Sequence, residues 1–169
     1  VRSLSQVTTP NAQEVMPTDF YGKGATVSYI GTTVSNNGTT TTVTFTSAAI
    51  GTADTNRTVF VVVRSSSGGT TAIVPTSVTI GGSAATNFTA ANITVSGSSV
   101  SFWAYKLTTG TTANIVVTWP AIPAAISTSI SVYRAVNVTT LATNAAATWN
   151  TSKTATNLNV TGKIGRAHV

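Results

Sequence analysis

Side chains that could move protons, hold a metal or attack a carbonyl are scarce in this chain. Its 169 residues include no cysteine, one histidine (His168), one glutamate (Glu14) and two aspartates (Asp19, Asp54). General acid–base work and nucleophilic activation draw on that short list. Serine is abundant, but a serine nucleophile needs a base, and His168 lies almost at the C-terminal end. A carboxylate pair for glycoside hydrolysis would have to come from Glu14, Asp19 and Asp54, two of them in an irregular leader. Asp54 stands in Gly51-Thr52-Ala53-Asp54-Thr55-Asn56, a setting that favours an Asx turn. A calcium ion there would need several further oxygen ligands. The expectation is a non-enzymatic protein with no catalytic, cofactor-binding or metal-ligating residues.

Charged residues make up 7% of the chain and hydrophobic ones 41%, where an ordinary globular domain has about 25% charged. That balance supplies enough apolar side chains to offset ordering entropy, and the length fits one domain. Apolar runs such as Val59-Phe60-Val61-Val62-Val63 are too short to span a bilayer as a helix. The net charge of +6 comes from Arg2, Lys23, Arg57, Arg64, Lys106, Arg134 and Lys153, scattered singly, with only Lys163 and Arg166 close together. Phosphate binding wants cations gathered on one face. Nucleic acid is therefore not an expected partner, and neither is a membrane. Seven Asn-x-Ser/Thr sequons, at Asn37, Asn56, Asn87, Asn92, Asn137, Asn150 and Asn159, mostly follow from the Ser/Thr content.

From Ala25 onward the chain reads as short β-strands. Residues 41–46 and 126–133 alternate hydroxyl and apolar side chains, the period of a half-buried strand. Residues 58–64 are apolar on both faces, as in a central strand covered on both sides. Ser77-Val78-Thr79-Ile80 runs into Gly81-Gly82, a hairpin signal. Residues 92–95, 99–107 and 113–119 add strands, 108–112 reads as a polar hairpin loop, and 157–160 as a last strand. One short helical turn is expected at 141–147. Eight to ten strands with frequent turns predict an all-β antiparallel β-sandwich or jelly roll.

Three parts follow: an extended N-terminal arm over 1–21, a β-domain over 22–163, and a tail over 164–169. In the arm, Phe20 and Tyr21 are candidate anchors onto a neighbouring subunit; a free leader is the alternative. Val1 is not a start methionine, so the natural N-terminus is open. The tail Ile164-Gly165-Arg166-Ala167-His168-Val169 resembles a translated sequencing adapter, which would leave the natural C-terminus unknown beyond about Lys163 and put the origin in an environmental assembly.

Aromatic residues offer the other candidate site. In Ser101-Phe102-Trp103-Ala104-Tyr105-Lys106, strand alternation sets Phe102 against Trp103 and Tyr105. With Phe102 in the core, Trp103 and Tyr105 would form an outward stripe beside Lys106, suited to a sugar ring or another subunit. With both faces interior, they would be core. Thr-rich strands also lack the Lys residues that usually protect sheet edges, which points to edges satisfied by neighbouring subunits.

The segments 76–86, 109–119 and 130–134 resemble a recurring pattern in uncharacterised Thr/Ser-rich β-sandwich virion proteins of tailed bacteriophages, over roughly residues 40–140. The resemblance lies in hairpins and strands, so no functional residue carries over. It implies a structural virion protein, a capsid decoration or tail-associated subunit in an extracellular particle, acting by oligomeric packing with itself and other virion subunits. Two alternatives stand beside it. One is a bacterial cell-surface filament or pilus subunit assembled by strand addition. The other is an adhesion module binding host-surface polysaccharide through Trp103 and Tyr105.

Overall fold

A computed structural model describes residues 24–38, 40–67, 72–88, 93–95, 97–120 and 126–138. The expected arm with Phe20 and Tyr21, the helical turn at 141–147, the strand at 157–160 and the tail lie outside these residues.

Among the described residues every regular element is a strand. In chain order they are β1 (Thr26–Gly38), β2 (Thr42–Ala49), β3 (Arg57–Ser67), β4 (Ser77–Ile80), β5 (Ser83–Ala84), β6 (Thr86–Asn87), β7 (Ile93–Val95), β8 (Ser98–Tyr105), β9 (Thr112–Thr118) and β10 (Ile126–Val136). They form two antiparallel sheets, as expected of a sandwich. The larger runs β1-β10-β3-β8-β6, with β7 also on β8; the smaller runs β2-β9-β4-β5.

The pairings nest. β4 pairs with β5, β3 with β8, β2 with β9, and β1 with β10. The chain thus behaves as one long antiparallel ribbon folded at Gly81-Gly82. Rolling that ribbon brings β10 against β3 and β9 against β4, which closes the two sheets. This is the jelly-roll arrangement.

The fold point has a local cause. Gly81 and Gly82 take φ of 61° and 84°, the left-handed values that a tight two-residue turn of matching twist requires. Ile80 and Ser83 face each other across the turn. Residues 108–112, expected to close a hairpin, instead carry the chain from β8 in the larger sheet to β9 in the smaller one. The local signal for a polar loop was correct, but a nested ribbon pairs these strands with β3 and β2 rather than with each other.

Between the sheets lies the main core. β2, β4 and β9 contribute Val43, Phe45, Val78, Ile80, Ile115 and Val117; β3, β8 and β10 contribute Val59, Val61, Val63, Trp103, Ile130 and Val132. β3 buries its other face as well. There Phe60 packs with Ala104 and Ala135, and Phe88 crosses edge-on to Phe60 with ring centroids 5.4 Å apart. The doubly apolar run Thr58–Arg64 accordingly sits mid-sheet, flanked by β10 and β8.

Candidate functional site

At one end of the sandwich the fold gathers charges that the sequence scatters. Asp54 begins an Asx turn: its Oδ1 accepts the Asn56 amide at 2.8 Å, and its carbonyl accepts the Arg57 amide at 3.1 Å. Arg134, arriving on β10, donates through Nε to the Thr52 carbonyl at 2.8 Å and sets its guanidinium 3.5 Å from Asp54. Both partners of that ion pair are partly exposed, so it adds little stability.

Arg57, the first residue of β3, is fully buried. Its guanidinium donates to four backbone carbonyls: Nε to Leu107 at 2.6 Å, one terminal nitrogen to Gly51 at 2.7 Å and Gly110 at 2.9 Å, the other to Thr109 at 2.5 Å. Burial, then repulsion from Arg134, lowers its pKa from the ordinary arginine value, and Asp54 partly opposes this. A lowered folded-state pKa makes stability rise with pH only between the lowered and the ordinary value. Arginine keeps its proton in proteins, so the group is charged at neutral pH. Rigid and forked, it ties the 51 and 107–110 loops to the start of β3. Sequence reasoning counted Arg57 among the scattered cations. The available signal was a lone cation opening an apolar strand just after a turn.

The aromatic candidates fall elsewhere than the outward stripe. Trp103 is 5% exposed and belongs to the core between the sheets, its Nε1 donating to Ser101 Oγ at 2.8 Å. Tyr105 is half-buried and packs against the same core, while Lys106 is exposed just past the end of β8. Phe102 is buried on the opposite face with Val100, beneath Phe88. Both faces of β8 are interior, because Phe88 and its neighbours cover what would have been the solvent side. Trp103 is therefore not part of an outward stripe, and Tyr105 on the same face is only partly open to solvent.

Exposed apolar side chains lie on β1 instead. Val27, Tyr29 and Val34, at 42%, 59% and 63%, are the exposed large hydrophobic residues among those described, and all three belong to this strand. Among the described residues β1 borders the larger sheet with β10 as its one neighbour there. Tyr29 stands opposite Tyr133, ring centroids 5.4 Å apart, and its hydroxyl meets Thr32 Oγ1 at 2.8 Å. Thr32 in turn meets Ser131 Oγ at 2.7 Å. Between Tyr29 and Gly31 the register shifts, and Ile30 turns into the core while Tyr29 stays outward. The thirteen residues of β1 carry no charge.

Among the described residues no three His, Cys, Asp or Glu side chains cluster as a metal site. A shallow, open depression of about 600 Å³ lies by Asp54, lined by Gly24, Thr26, Thr55, Asn56, Val136 and Asn137, with Asp54 the one carboxylate among the described residues that line it. Against protein-family models, curated proteins and solved structures, the chain finds no match.

Proposed function

We propose that this protein is a non-enzymatic structural subunit of an extracellular assembly, in the first place a bacteriophage particle, where it serves as a capsid-decoration or tail-associated component. The observation that carries this reading is the concentration of exposed apolar side chains on β1, a long uncharged edge strand. A soluble chain that worked alone would blunt such an edge with lysine, proline or a short strand. The jelly-roll wrap supports the reading at the level of fold analogy, since capsid proteins use it, as do lectins and cupins. The likeness of residues 40–140 to phage virion proteins favours the first of these uses. The polysaccharide-binding alternative is weakened, because Trp103, its main stacking residue, lies in the core.

Light scattering on the purified chain, with co-sedimentation against phage particles from the same source, tests the proposal. Assembly or particle binding is the expected result. A stable monomer that binds no particle component sinks it. Portal and terminase genes beside the coding sequence would support the phage assignment, whereas secretion or usher genes would move it to a surface filament.

A further inference from the structure

We infer that β1 is the contact through which two copies join, each strand pairing antiparallel with its counterpart to continue the larger sheet across a two-fold axis. This rests on the assembly reading above and names its surface. Backbone N–H and C=O groups on the outer side of an edge strand call for another extended chain. Two further features select a second copy. In a two-fold contact each side chain meets the same patch that it belongs to, so a charge near the axis would face itself. β1 has none in thirteen residues, although the chain carries +6 overall. Its apolar side chains Val27, Tyr29 and Val34 all stand exposed along this one strand, and the same ones recur on the other copy.

The other long edge differs. β2 is interrupted by a register shift between Phe45 and Ala48, with Ser47 at φ 51°, and its outward residues are small or hydroxylated. β1 has shifts too, but between them residues 31–36 run in unbroken register against β10. That run is about 20 Å long at about 3.3 Å per residue. Backbone pairing over so short a run falls below the about 800 Å² per partner of a standard interface. Contact through Val34 at its centre, with Tyr29 and Val27 beyond it, extends the buried patch along the strand.

The absence of cysteine makes the test clean. Single substitutions Thr33→Cys and Val34→Cys on β1, with Thr44→Cys on β2 and Ser77→Cys on β4 as exposed controls, are oxidised in the full-length protein at tens of micromolar. Disulfide dimers should form at least tenfold faster at Thr33 or Val34 than at the controls. Val34→Lys should convert the dimer to monomer in light scattering, with a thermal midpoint equal to that of the wild-type chain diluted to monomer, since Val34 is exposed and outside the core. An oligomer that cross-links no faster at β1 overturns the inference and leaves the assembly reading standing. Cross-linking of Val34→Cys to a second variant bearing Val7→Cys, in preference to itself, also overturns it by assigning the edge to the leader. A monomer that still co-sediments with particles overturns the pairing alone, and one that binds nothing overturns both.

Discussion

Arg57 illustrates how a cation can be structural through backbone carbonyls, with no carboxylate in contact among the described residues. A buried charge is expensive unless its donors are met. Here four of the five guanidinium N–H groups reach carbonyls whose own partners would otherwise be hard to find in sharply turned loops. Lysine cannot reproduce that fork. Arg57→Lys should cost about 2–4 kcal/mol in urea unfolding, because at least one carbonyl and the shape of the cage are lost. Arg64→Lys on exposed β3 surface should stay within about 0.5 kcal/mol. Equal effects at the two positions would show that the carbonyl cage contributes nothing. The sequence shows only that Arg57 opens the apolar run after a turn and Arg64 closes it; the carbonyls that Arg57 meets are brought to it by the fold. Trp103 shows the same limit. Alternation separates Phe102 from Trp103 correctly, but which face is covered depends on Phe88, fourteen or more residues away in the chain.

At the scale of elements, strands that alternate or that run apolar on both faces were legible. Residues 126–133 became β10, 58–64 became the middle of β3, and the Gly81-Gly82 turn lies where the glycines put it. β1 was not legible as a distinct strand. Its Gly31 and two asparagines weaken the propensity, and the bulge at Ile30 breaks the period by which a strand is recognised. Two-residue strands such as β5 and β6 carry too few side chains to show any period. The glycines themselves make a graded prediction. A methyl at Gly82 meets nothing within 4 Å, so Gly82→Ala should cost about 1 kcal/mol, the backbone strain alone. A methyl at Gly51 would come within 2.8 Å of the Arg134 side chain and 2.9 Å of Ile30, at φ 78°. Gly51 also presents a carbonyl to Arg57. Gly51→Ala should therefore cost clearly more than Gly82→Ala, by about 1–2 kcal/mol, in the same unfolding measurement. The reverse order would mean that the loop around Gly51 yields freely and that the cage is softer than its distances imply.

The whole molecule is a ribbon wound from the middle outward, and the order of winding sets how its parts open. The β4–β5 pair joins residues that are neighbours in the chain, whereas Thr26 on β1 faces Val136 on β10. Closing that outermost pair orders the longest span of chain among the described pairs, while β1 has one described neighbour in its sheet and leaves its outward side chains in solvent. β3 is the opposite case, held by strands on both sides and buried on both faces over residues 57–61. Local opening should therefore begin at β1 and end at β3 and β9. Native-state hydrogen exchange at low protein concentration should show β1 amides exchanging at least a hundredfold faster than those of β3. Raising the concentration should slow β1 selectively if a second copy covers the edge, because pairing closes the same backbone groups that opening exposes. Protection at β1 equal to that at β3 in the dilute monomer would contradict the opening order. Protection that ignores concentration while the protein is oligomeric would place the subunit contact on another surface. The two comparisons separate the intrinsic weakness of the edge from its use in assembly, since the first depends on the winding of one chain and the second on the presence of another.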